Sequence, residues 1–136
     1  MRTTVATKKA PAPAAGYAQA AVSGEFIFVS GQVASDPKTG TITATTMEEQ
    51  VKQVLRNIEN IVEAAGGTKD SIVRCGVFLS DLADFSAMDS AFREFFGKSL
   101  PARTTVQAGL GTLRVEIDAI ATRVSKSARR GSRKQF

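Results

Sequence analysis

The sequence predicts an α+β domain, a β-β-α-β-α-β-β order folded into one sheet with two helices on one face. Three patterns predict it. Apolar residues recur at helical spacing in two stretches, about residues 46–66 and 86–97. Short runs rich in β-branched and aromatic residues fill the intervals, bounded by glycine and proline. Three of these runs, 26–29, 72–79 and 115–121, are apolar on both faces. Two helices cover only one face of such a sheet, so the other is expected to meet a second copy of the chain in a homo-oligomer.

In chain order, residues 1–16 are rich in Thr, Lys, Ala and Pro, and Pro11 and Pro13 favour an extended path along the surface. Residues 17–23 and 25–29 read as two strands joined at Ser23-Gly24, a good hairpin turn pair. Phe26-Ile27-Phe28-Val29 is apolar throughout and reads as a strand buried on both sides. In Ser30-Gly31-Gln32, the glycine marks a bulge or a close approach of backbone to another group. Asp36-Pro37-Lys38-Thr39-Gly40 is a turn. Thr46 and Glu49 form a capping box, after which Val51, Val54, Leu55, Ile58, Ile61, Val62 and Ala65 make a helical stripe ending at Gly66. Ile72–Leu79 is a strand. Ser86 is expected to cap a second helix, in which Met88, Phe92, Phe95 and Phe96 form a core stripe before Gly97. Thr104–Gln107 and Arg114–Thr122 close the sheet.

The chain has 136 residues, 43% hydrophobic and 23% charged, enough for one domain with a real core. The expected domain spans 1–124. No apolar run is long enough to span a bilayer. The N-terminus lacks the apolar core of a secretory signal and Cys75 has no partner cysteine, which together point to a reducing, cytoplasmic setting. The absence of histidine excludes His-activated nucleophiles, a His general base and His-built zinc sites, and no metal site is expected. The net charge of +5 arises in the tail Ser125–Phe136, which bears five of the 18 basic residues and no acid; the other 13 balance the 13 acids. That tail reads as a solvated, disordered appendix, and a nucleic-acid partner is expected only through it, if at all.

Arg103 follows Pro101-Ala102 at the start of a strand, and its paired N–H donors suit a carboxylate clamp. A surface arginine, or one half of a structural pair with Glu116 or Asp118, is the other reading of this residue. Glu116 and Asp118 lie two apart in a strand, on one face and roughly 6–7 Å apart along it. Such a pair serves a proton shuttle or a solvated strand edge. Cys75, mid-strand among apolar neighbours, reads as a buried, inert thiol. Gly109-Leu110-Gly111 lacks the third glycine and the following helix of a dinucleotide site.

Beyond these single features lies a longer pattern. Ala10-Pro11 leads to Tyr17-Ala18-Gln19-Ala20, then to Phe28-Val29-Ser30-Gly31-Gln32 and Asp36-Pro37-Lys38-Thr39-Gly40. Asn57-Ile58, Asp81-Leu82-Ala83-Asp84-Phe85, Phe95-Phe96, Pro101-Ala102-Arg103 and the run Val115–Ala121 complete it. In order and spacing, residues 3–123 resemble the reactive-intermediate deaminases, the RidA or YjgF-like family. The resemblance implies a chorismate-mutase-like fold, a homotrimer and sites in the clefts between subunits. It implies hydrolysis of 2-imino acids and their enamine tautomers, such as 2-iminobutanoate and 2-iminopropanoate, to 2-keto acids and ammonia, with no cofactor or metal.

Carried over by position, the resemblance makes Arg103 the clamp for the substrate carboxylate and Glu116 the acid that positions or deprotonates water. Tyr17 and Ser30 line the pocket, and the Gly31 backbone lies near the imine nitrogen. Thr105 stands where many members have cysteine, keeping a small polar side chain at the site. Ala15-Gly16 replaces the usual Gly-Pro before the tyrosine. The segment between Arg103 and Glu116 is about two residues shorter than in familiar members, around Gly109-Leu110-Gly111. Readings from other classes are a non-catalytic trimer that binds small carboxylates or proteins, and an RNA-cleaving translation inhibitor.

Overall fold

The computed structural model describes residues 1–124; the tail expected at 125–136 lies outside them. Six strands form one mixed sheet: β1 (Thr3–Val5), β2 (Ala20–Ser23), β3 (Phe26–Gln32), β4 (Ile72–Leu79), β5 (Ala102–Gln107) and β6 (Val115–Thr122). Their spatial order is β1-β2-β3-β6-β4-β5, with β4 and β5 parallel and the other pairs antiparallel. Two helices, α1 (Met47–Ala64) and α2 (Phe85–Phe96), cover one face, as the apolar stripes predict.

The first helix forms where the stripe places it. Thr46 Oγ1 accepts a hydrogen bond from the Glu49 N–H at 3.2 Å, and Glu48 and Glu49 lie at the positive end of the helix dipole. Val51, Val54, Leu55, Ile58, Ile61 and Val62 are fully buried against the sheet. From α2, Met88, Ala91, Phe92 and Phe96 join this core. Alternation along the strands supplies the other half, Ile27 and Val29 from β3, Cys75, Val77 and Leu79 from β4, and Val115, Ile117, Ala119 and Ala121 from β6.

Several expectations need correction. The N-terminal arm is not only a surface path, since Thr3–Val5 pairs with β2 as a sixth strand. Three residues are too few for a periodic signal, and the pairing partner decides the conformation. The following strand begins at Ala20, not 17, because the preceding residues turn around Gln19. β3 runs on to Gln32 through a register shift between Val29 and Gln32, the bulge that Gly31 signals. Ser86 does not cap α2. Asp81 accepts from the Ala83 N–H at 2.9 Å and opens a 3-10 turn, Leu82–Asp84, that leads straight into the helix. Ala102 and Arg103 already belong to β5.

Phe26 and Phe28 are not buried on both sides. They are 49% and 46% exposed, on the face opposite the helices. The pairing Phe28–Ile120 and the alternation of β4 and β6 put Phe78, Ile120, Glu116 and Asp118 on this same open face.

Candidate functional site

Glu116 sits on the open face, on strand β6, beside the bulge in β3. A Cβ on Gly31 would come within 2.7 Å of Glu116 Oε2, so glycine is needed for the carboxylate to lie against this backbone. Tyr17, Gly31, Glu116, Leu113 and Pro11 to Ala14 line one cleft of about 440 Å³, closed on its far side by the turn Pro37 to Gly40. Pro37 and Gly40 thus reach the site from a turn recognisable in the sequence.

Gln19 holds the wall of that cleft. This buried side chain donates from Nε2 to the carbonyls of Thr7, Ala10 and Pro11 at 3.0, 3.3 and 2.9 Å, and its Oε1 accepts from the Thr7 N–H at 2.7 Å. The proline-rich arm therefore has a fixed path despite making little regular structure. Tyr17 is half exposed, and its hydroxyl accepts from the Ala14 N–H at 3.2 Å. Ser30 donates to the Ala18 carbonyl at 2.7 Å, which ties β3 to the segment bearing Tyr17. It lines the neighbouring cleft with Tyr17 and Arg2.

Asp118, the other half of the carboxylate pair, is occupied elsewhere. It accepts from the Gly76 N–H at 3.0 Å and lies 3.9 Å from Arg74 Nη1. A Cβ on Gly76 would meet its Oδ1 at 2.5 Å, so this carboxylate packs onto the neighbouring strand. Glu116 is the member of the pair that faces a cleft.

Arg103 lies on the opposite side of the sheet. β5 pairs Arg103 with Cys75, whereas β6 pairs Glu116 with Phe78. Cys75 and Phe78 are an odd number of residues apart on one strand, so their side chains, and those paired with them, leave opposite faces. The expected structural partners Glu116 and Asp118 are thus out of reach. Arg103 Nη1 instead meets Asp89 Oδ1 of α2 at 2.8 Å. Its guanidinium stacks 4.8 Å from the centre of the Phe92 ring and 5.5 Å from Phe85. With Leu100, Pro101 and Arg93 it lines an open cleft of about 200 Å³.

Arg93 Nε bonds Asp89 Oδ2 at 2.8 Å, and these hydrogen bonds from Arg93 and Arg103 hold the Asp89 carboxyl below the usual carboxylate range. Thr105 follows Arg103 on the same face, and its buried Oγ1 has no hydrogen-bond partner among the described residues.

The sequence reading missed Asp89, Gln19 and Arg114. Arg114 donates to the Thr45 carbonyl at 3.0 Å and to Asp84 at 3.1 Å, joining the start of β6 to both helix N-termini. Gln19 had a signal, a lone polar residue entering an apolar strand. Asp89 had none, because only the parallel pairing of β4 with β5 brings Arg103 under α2. Cys75 is buried as expected, and burial pushes its thiol up to about 12. Among the described residues no cluster of three possible metal ligands occurs, and no helix is long and apolar enough to cross a membrane.

Six strands in one mixed sheet with two helices on one face make this an α+β domain, with Glu116 in a cleft on the open face and Arg103 in a cleft on the other. Residues 7–123 match the family model described as Endoribonuclease L-PSP, and the chain belongs to this family, that of the RidA and YjgF proteins. A RutC family protein of Pyrococcus horikoshii is 40% identical over 123 residues, 89% of this chain and 98% of that protein. The 2-iminobutanoate/2-iminopropanoate deaminase of Capra hircus is 38% identical over 123 residues, 89% of this chain and 90% of that protein. The crystal structure of E. coli TdcF with bound serine aligns with a TM-score of 0.83 at 33% identity, over 90% of this chain and 99% of that one.

Proposed function

We propose that this protein is a cytoplasmic deaminase that hydrolyses reactive 2-imino acids and enamines, 2-iminobutanoate and 2-iminopropanoate among them, to 2-keto acids and ammonia. It acts as a homotrimer without a cofactor, at sites assembled between neighbouring subunits. One observation carries this reading: Arg103 and Glu116 both line open clefts, but on opposite faces of one sheet. A reaction that uses both therefore takes each from a different copy of the chain. The half-exposed Phe26 and Phe28 on the open face are the kind of surface a second copy covers. The relative named as an imine deaminase and the serine-bound neighbour support the reaction class and the carboxylate ligand.

In this reading Arg103, already oriented by Asp89 and the two rings, binds the substrate carboxylate through its remaining N–H donors. Thr105 follows on the same face and packs beneath the clamp with its Oγ1 buried. Tyr17 and Ser30 shape the wall of the neighbouring subunit's cleft, and the Gly31 backbone lies against the imine nitrogen. Glu116 holds a water molecule over the C=N carbon and accepts its proton as the new C–O bond forms. Glu116 passes that proton to nitrogen, giving a carbinolamine, and then relays the hydroxyl proton to nitrogen as the carbonyl forms and the C–N bond breaks, so that ammonia leaves. The water supplies the oxygen of the keto acid. The alternative, a non-catalytic trimer for small carboxylates, shares the Arg103 clamp and gives Glu116 no task.

The test is a coupled assay in which a pyridoxal-phosphate threonine dehydratase generates 2-iminobutanoate and keto-acid release is timed. Wild type should accelerate release, and Arg103→Ala and Glu116→Gln should each lose about a hundred-fold or more of that effect. Absence of acceleration by folded wild-type protein would refute the deaminase. Full activity in Arg103→Ala would refute the clamp.

A further inference from the structure

Arg103 does not stand alone in its cleft. Asp89 uses both carboxylate oxygens, Oδ1 on Arg103 and Oδ2 on Arg93, each at 2.8 Å, and the two rings fix the plane of the Arg103 guanidinium. The Arg103 side chain is only 18% exposed, and no other carboxylate among the described residues lies within ion-pair distance of it. Two arginines and one aspartate leave the cleft a single net positive charge.

We propose that Asp89 is a positioning residue, a built-in counter-ion that orients Arg103 and weakens its hold on the carboxylate common to substrate and product. The inference rests on Arg103 being the carboxylate clamp. A 2-imino acid and the 2-keto acid formed from it bear the same carboxylate, so a clamp on that group binds both nearly equally. Such uniform binding does not speed the chemical step, and it delays product release. Asp89 occupies one Nη1 donor and cancels one charge while leaving the rest of the guanidinium free to hold an anion. Asparagine in its place would keep one acceptor oxygen, enough for one of the two arginines, and remove the opposing charge.

Calorimetric titration of the full chain with 2-ketobutanoate at low salt tests this. Asp89→Asn should bind the keto acid about three- to ten-fold more tightly than wild type. In the coupled assay, its KM and its inhibition constant for 2-ketobutanoate should fall by the same factor. Asp89→Ser is measured beside it, because a gain of affinity in either variant is a change that damage to the fold does not produce. Arg103→Ala should abolish binding. Unchanged or weaker binding in both Asp89 variants, with binding still lost in Arg103→Ala, would overturn the counter-ion role and leave the clamp standing. Undetectable binding by wild type, or undiminished binding by Arg103→Ala, would overturn the clamp and this inference together.

Discussion

The opposite faces of Arg103 and Glu116 make subunit complementation a sharp prediction. Arg103→Ala and Glu116→Gln should each be nearly inactive as pure proteins, since every site then lacks one of its two groups. In oligomers assembled at random from equal amounts of both, a site is intact when its arginine comes from a Glu116→Gln subunit and its glutamate from an Arg103→Ala subunit. Each condition holds for half the subunits, so a head-to-tail ring should regain about one quarter of wild-type activity. The dehydratase-coupled assay reads this quarter in the unfractionated mixture, and about one third in mixed trimers isolated with two affinity tags, each of which has one intact site of three. If the two residues served one site from the same chain, every site would remain broken and the mixture would be as inactive as its parents. That result would refute the interface arrangement.

Three further outcomes follow from individual contacts. Gly31→Ala would drive Cβ against Glu116 Oε2 and push this flexible, part-exposed carboxylate aside, so activity should fall at least ten-fold while stability falls by under about 1 kcal/mol, read by the coupled assay and urea unfolding. Asn57 is fully buried and donates to the Val33 and Ser35 carbonyls at 3.2 and 3.0 Å, so Asn57→Ala should cost about 2–4 kcal/mol in urea unfolding and loosen the chain that follows β3. Cys75 has its thiol raised from 9.0 to about 12 in the fold, chiefly by burial and then by the Asp118 charge, so the folded state holds this proton more tightly. The stability it contributes is complete below pH 9 and is lost as pH rises towards 12. Cys75→Ala should therefore lose less stability than wild type over that interval, measured by thermal melts at stepped pH; equal losses would contradict the assignment.

Much of the fold is legible in the local sequence, and the reasons are specific. α1 announces itself by a stripe whose members from Val51 to Val62 are all buried, with Asn57 the one buried residue between them that the stripe omits, and Ser23-Gly24 forms the expected hairpin with Gly24 at φ 59°. Gly31 stands at both a bulge and a close approach, the two meanings a glycine in a strand can have. β1 was hidden because three residues carry no period, and the true start of α2 because a 3-10 turn uses the same residues as a helix cap.

The site was legible as residue types but not as an arrangement. Which face Arg103 takes depends on the parallel register of β5 against β4, a long-range pairing that no local pattern encodes. The same register makes Asp89 its partner instead of Glu116, although the two lie almost equally far from Arg103 in sequence. The Gln19 clamp on the proline-rich arm escaped for a related reason, since its acceptors are backbone carbonyls that any sequence supplies.

The most direct measurement is a crystal structure of the protein grown with 2-ketobutanoate. The account predicts the ligand carboxylate on Arg103 of one subunit, with its C2 carbon facing Glu116 and the Gly31 backbone of the next. A ligand held beside Glu116 with no arginine on its carboxylate, or seated on Arg103 with no glutamate near C2, would contradict it.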